Sequence, residues 1–156
     1  MHDSVMTWVR QQVDGLTSAS TLEVGSLDVN GSVRSFFTGE YVGIDMRAGP
    51  GVDIVGTGDR LPFDDASFDV VVSTEMLEHD RSFWLSMAEM GRVLRHGGHL
   101  ILTTRGNGFG EHNEPSDYFR FMPSSMFVLL ELATCNAVVT ELDPEVPGIF
   151  VHGIRR

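Results

Sequence analysis

The chain has 156 residues, long enough to bury one core without disulfides or structural metals, and its 42% hydrophobic and 21% charged content is that of a folded globular chain. With 22 acidic against 11 basic residues the formal charge is −11, so few cations are left to neutralise phosphates, which argues against nucleic acid and anionic membrane surfaces as general partners. The lone Cys135 rules out an internal disulfide. Its apolar neighbours predict a buried, inert thiol, and with no basic-then-apolar leader and no apolar run of bilayer length, a cytoplasmic protein is expected.

Val5, Trp8, Val9 and Val13 recur at helical spacing before Gly15 and predict a short amphipathic helix. Residues 21–25 (T-L-E-V-G) read as a strand ending in glycine, 30–37 as a helix, 41–45 (Y-V-G-I-D) as a second strand and 52–55 as a third. Residues 68–74 (F-D-V-V-V-S-T) carry three consecutive valines, the mark of a parallel strand buried on both faces. Residues 80–95 predict a helix with Phe83, Met87, Met90 and Leu94 in one stripe, flanked by Trp84 and Leu85 and ended by Gly97 and Gly98. A buried strand at 99–104, a long polar loop at 105–122, a helix at 123–135 and strands at 137–142 and 149–154 complete the chain. The alternation implies an α/β fold with a doubly wound, mostly parallel sheet. The last two strands are too closely linked for a helical crossover and should pair antiparallel. Residues 1–156 are expected to form a single domain with a minimal N-terminal helix.

Ligands of such sheets bind beyond the carboxyl ends of the strands, at the topological switch point. Three segments fall there. Glu23-Val24-Gly25-Ser26-Leu27 is a strand entering a glycine turn, which fits either close approach of a ligand or simply a tight turn. Asp45 ends the next strand, twenty positions after Gly25, where a carboxylate can accept hydrogen bonds from both ribose hydroxyls. Gly56-Thr57-Gly58-Asp59-Arg60-Leu61-Pro62-Phe63 offers small residues for a flat base, with Phe63 read as core.

The order of L-E-V-G-S-L-D-V-N-G-S, Y-V-G-I-D, L-P-F-D-D-A-S-F-D-V-V-V-S-T-E-M-L-E-H, R-V-L-R-H-G-G-H-L-I-L-T-T and S-D-Y-F-R-F-M-P resembles the type-11 group of class I S-adenosylmethionine-dependent methyltransferases, from about residue 22 to 133. The resemblance implies a Rossmann-like fold with S-adenosyl-L-methionine as cofactor and S-adenosyl-L-homocysteine as product. It implies that Glu23, Gly25, Ser26 and Leu27 cradle the methionine portion, and that Asp45 with Met46 holds the ribose. Thr57, Gly58, Asp59 and Leu61 then hold adenine, and Ser73, Thr74, Glu75 and Met76 wall the reactive methyl. Two positions depart from the family pattern: Leu27 stands where a second glycine is usual, and Thr57 where an aspartate commonly precedes Leu-Pro-Phe.

On the acceptor side His79 fits two roles, a base for an acceptor hydroxyl or a structural residue beside a helix-capping Asp80. The loop 108–120 brings His112, Tyr118 and Arg120 as substrate contacts, with an Asp117–Arg120 turn pair as the structural alternative for the last. Its D-Y-F-R-F-M-P segment is similar to one in family members that act on sugars or glycans. Met76, His79, His112, Tyr118 and Arg120 are therefore the expected substrate-binding set, for a small-molecule or glycan acceptor. Glu111, His112 and Glu114 share a loop without a recognised metal spacing, so no metal is expected. The short N-terminus leaves little chain for a lid, implying an open site or one closed by a second subunit in a homodimer. Two other classes compete: a non-catalytic cofactor-binding module, and an NAD-dependent oxidoreductase, whose G-x-G-x-x-G fingerprint is missing here.

Overall fold

Val70, Val71 and Val72 are fully buried, and because successive strand residues point to opposite faces they belong to two different cores. Their strand, β4 (Phe68–Thr74), is central. It pairs in parallel with β1 (Ser20–Val24) on one side and β5 (Leu94–Arg105) on the other. Beyond β1 lie β2 (Glu40–Asp45) and the two-residue β3 (Ile54–Val55). Beyond β5 lie β7 (Gly148–Arg155) and then the edge strand β6 (Cys135–Leu142), giving the order β3-β2-β1-β4-β5-β7-β6. β7 runs antiparallel to both neighbours and all other pairs are parallel, as expected for this fold class. The computed structural model describes residues 2–17, 20–112 and 116–156.

One face of the sheet is covered by α2 (Phe83–Val93) and α3 (Ser125–Leu132), whose Met87, Met90, Val93, Met126, Leu129 and Leu130 pack on Leu22, Val71 and Leu100. The other is covered by α1 (Asp3–Val13), whose Val5, Trp8, Val9 and Val13 meet Val70, Val72, Ile101 and Phe150. Among the described residues no helix is long and apolar enough to cross a membrane.

Three expectations change. Residues 30–37 form only a short 3-10 turn at Arg34–Phe36. Asp28 accepts the Gly31 N–H (2.8 Å), and the Arg34 guanidinium reaches Asp53 (2.9 Å) and the Tyr41 carbonyl (3.0 Å), so the segment is strapped to the sheet edge. Gly97 and Gly98 do not end a helix. α2 stops at Val93, Leu94 already pairs with Phe68, and the next partners are His99 and Val70, so the glycines form an irregularity within β5, with Gly97 at φ +76°. The helix expected over 123–135 ends at Leu132 because Thr134 turns left-handed (φ 55°) and Cys135 enters β6.

Candidate active site

The chain leaves β1 toward β2 and β3 in one direction and reaches β4 and β5 in the other, so the switch point lies between the carboxyl ends of β1 and β4. Two turns meet there. Gly25 sits at φ +84°, a conformation that suits glycine, and a Cβ on it would lie 2.6 Å from Met76 Cγ. The turn is pinned by the Gly25 and Ser26 N–H groups, which donate to the Ile44 carbonyl (2.9 and 3.2 Å). Asp45 is held above it: its two carboxylate oxygens accept the N–H groups of Leu27 (3.2 Å) and Arg47 (3.0 Å). Glu23, beneath the turn, is only 3% exposed and accepts the Tyr41 hydroxyl (2.8 Å). Burial pushes its carboxyl from 4.5 up to about 7, against the pull of that hydrogen bond and of Arg34.

After β4 the backbone is unusual. Glu75 adopts φ 56°, a conformation a non-glycine residue holds only when its surroundings fix it. Here Thr103 Oγ1 donates to it (2.9 Å) and it is ion-paired with the buried Arg105, whose other partner is Asp143 (3.2 Å). Burial and the neighbouring Glu78 push Glu75 up to about 7, while Arg105 pulls it down. Glu78 is fully buried. Its Oε2 accepts Thr104 Oγ1 (2.8 Å), and its carbonyl accepts the N–H groups of Tyr118 (2.8 Å) and Phe119 (3.2 Å), which docks the long loop over the site. His79 Nδ1 lies 2.5 Å from the Ser116 carbonyl. A carbonyl only accepts, so Nδ1 carries a proton, which in the neutral ring places the lone pair on Nε2. His112 stacks edge-on against His79 (ring centroids 4.7 Å apart), with its Nδ1 3.2 Å from Asp117 Oδ2.

Between these turns lies a cavity of about 490 Å³. Glu23, Gly25, Ser26, Leu27, Asp45, Met46, Thr57, Gly58, Asp59, Thr74, Glu75, Met76, His79, His112 and Tyr118 all reach its wall. Three expected contacts do not. Leu61 is buried in the core under α2, Ser73 is turned inward to donate to the Val24 carbonyl (2.8 Å), and Arg120 is consumed by Asp117 and the carbonyls of Phe109 and Gly110. Arg120 thus braces the loop, the structural alternative for that residue. His79 sits in a 3-10 turn (Leu77–His79) ahead of α2, while Asp80 accepts the Ser82 N–H (2.7 Å). Sequence reasoning missed Arg105, Phe109 and Arg81 on the wall and the buried Glu78 behind it. The one visible signal was an arginine closing the apolar run of β5. Glu114 lies outside the described residues.

A glycine turn and a strand-end carboxylate facing one cavity form a nucleoside-binding arrangement, and similarity to known proteins specifies it. The family described as "Methyltransferase domain" matches residues 22–102, more than half of the chain. The chain belongs to this family. It is a class I methyltransferase domain, and its cofactor is S-adenosylmethionine. Among curated relatives, phthiotriol/phenolphthiotriol dimycocerosates methyltransferase 1 of Mycobacterium ulcerans is 40% identical over 82 residues, 45% of this chain and 30% of the relative. The matched stretch thus spans less than a third of that protein's length. Among solved structures, Burkholderia thailandensis 1,6-didemethyltoxoflavin-N1-methyltransferase, with S-adenosylhomocysteine bound, superposes with a TM-score of 0.78 at 14% identity, over 98% of this chain and 78% of that one. The [4+2]-cyclase SpnF superposes at 0.75 and 12% identity, over 98% and 81%. Likeness at this identity shows the fold alone, and the cyclase illustrates that one fold carries several chemistries.

Proposed function

We propose that this methyltransferase domain moves the methyl group of S-adenosylmethionine to a hydroxyl of a small-molecule or glycan acceptor. The observation that carries the reading is the pairing of two ends in one cavity: the Asp45 carboxylate over the Gly25 turn, and the oriented His79 imidazole beside Met76 and Tyr118. Glu23, Gly25, Ser26 and Leu27 receive the methionine portion, Asp45 with Met46 the ribose, and Thr57, Gly58 and Asp59 the adenine. Thr74, Glu75 and Met76 stand beside the transferred group. The cofactor, when bound, supplies an electrophilic methyl on a sulfonium sulfur. Tyr118 and His112 orient the acceptor oxygen, and much of the rate comes from that positioning. His79 Nε2 would take the acceptor hydroxyl's proton during methyl transfer to that oxygen, with the cofactor leaving as S-adenosylhomocysteine. The name of the M. ulcerans relative refers to a triol, which fits an oxygen acceptor.

The test is S-adenosylhomocysteine release from S-adenosylmethionine across a panel of hydroxylated small molecules and glycans. His79→Gln is expected to lower turnover by about 10²-fold while leaving S-adenosylhomocysteine affinity unchanged. A chain that binds the cofactor yet transfers to no acceptor would favour the non-catalytic module.

A further inference from the structure

We infer that Glu78, His79 and His112 form a site for a first-row divalent transition metal (Zn2+, Mn2+ or Fe2+) at the acceptor end of the cavity. One ligand atom from each lies within 4.8 Å of the other two. Glu78 has no exposed surface, and its Oε1, 3.9 Å from His79 Nε2, has no hydrogen-bond partner. A buried carboxylate oxygen without a hydrogen-bond partner is the costly half of a site that a cation completes. His79 is already oriented as a ligand, with Nδ1–H held by the Ser116 carbonyl and Nε2 turned to the cluster. His112 is fixed through its backbone, whose N–H donates to Asp117 Oδ2 (2.7 Å), while its Nδ1, 3.2 Å from the same oxygen, has no hydrogen-bond partner, so its ring is free to ligate. The Ser116 carbonyl is the kind of outer partner that fixes the tautomer and ring direction of a metal-binding histidine.

Charge agrees. The carboxyl groups of Glu75, Glu78 and Asp143 share the single Arg105 guanidinium, and Arg120 is taken by Asp117, so the cluster's surroundings lean to negative charge, the sign a cation needs. Two imidazoles and one carboxylate select transition metals over Mg2+ and Ca2+, which prefer all-oxygen shells. Ligand atoms around such an ion sit ~2.0–2.2 Å from it, so the cluster must draw in. His112, on the loop and 37% exposed at its side chain, has room to swing. His79 and His112 line the cavity, so the open coordination positions face the acceptor.

The site stands on its own geometry, and only its purpose rests on the methyl-transfer reading. Its chemistry would be to acidify an acceptor hydroxyl. With the cation in place His79 is a ligand and the acidified hydroxyl loses its proton to solvent, so the base role proposed above belongs to the metal-free chain.

The test uses the full chain, stripped with a chelator, titrated with Zn2+ by calorimetry and with Co2+ by visible absorption. Each sample is also titrated with S-adenosylhomocysteine. The expected result is one metal per chain, with affinity at least tenfold weaker in His112→Gln and Glu78→Gln, unchanged in His99→Gln, and S-adenosylhomocysteine affinity held. Because Glu78 is fully buried and its variant can fail to fold, the loop variant His112→Gln decides by itself. Cofactor binding without stoichiometric metal, or metal affinity untouched in His112→Gln, overturns the metal site and leaves the methyl-transfer reading standing. Metal held by these residues in a chain that binds no S-adenosylhomocysteine supports the site and overturns that reading instead.

Discussion

Replacing Glu23 by Gln isolates the cost of burying a carboxylate beneath the cofactor turn. In the folded chain Glu23 titrates at about 7, against an ordinary 4.5, with desolvation as the main cause. Because the folded value is the higher one, the contribution is fully present below pH 4.5. It is lost as pH rises, completely so above about 7. At about 1.4 kcal/mol per pH unit the loss comes to ~3 kcal/mol. Gln keeps the shape and can still accept the Tyr41 hydroxyl, so the variant should match wild type near pH 4.5. It should exceed wild type by ~2–3 kcal/mol at pH 8. Urea unfolding of both proteins from pH 4.5 to 8 measures this. The difference curve is the quantity to read, because other groups titrate in the same window. His152, buried and pushed down to about 4, contributes an opposing slope as pH falls from 6.5. A flat difference, or a variant less stable at pH 8 than wild type, would refute the reasoning. S-adenosylhomocysteine carries an α-ammonium, and its binding to wild type should release protons near pH 6.5, seen as buffer-dependent binding enthalpy that disappears in Glu23→Gln.

Gly25→Ala should destabilise by ~2–5 kcal/mol, combining left-handed backbone strain with overpacking against Met76, and should weaken cofactor binding as Met76 is driven toward the cavity. Chemical unfolding that finds a loss under ~1 kcal/mol would mean the turn relaxes freely. Burial lifts the Cys135 thiol to about 11, so at pH 8 only ~1 in 1,000 molecules is the reactive thiolate. Alkylation should be slow in native chain and fast in denaturant, and rapid native labelling would contradict that burial.

The sheet was legible because β4 and β5 carry continuous apolar runs and Asp45 ends its strand at a readable distance from the Gly25 turn. Gly97 and Gly98 misled because a glycine pair marks a helix end or a strand irregularity equally well, and the choice lies with the pairing partner Phe68. Ser73 and Leu61 sit at the right places in the motif, but burial turns them to the core, a fact local spacing does not encode. The acceptor end was the least legible. Glu78 meets Thr104 because β4 and β5 pair in parallel, and His79 meets His112 where the Tyr118 and Phe119 amides dock the loop on the Glu78 carbonyl, an arrangement with no sequence period.

The most direct test of the central claim is calorimetric titration of the chain with S-adenosylhomocysteine, with NAD as control, repeated on Asp45→Ala. Selective binding of S-adenosylhomocysteine that weakens at least tenfold in the variant is the predicted result. Equal affinity in Asp45→Ala, or no binding by folded wild-type chain, would contradict the assignment of this cavity to the cofactor.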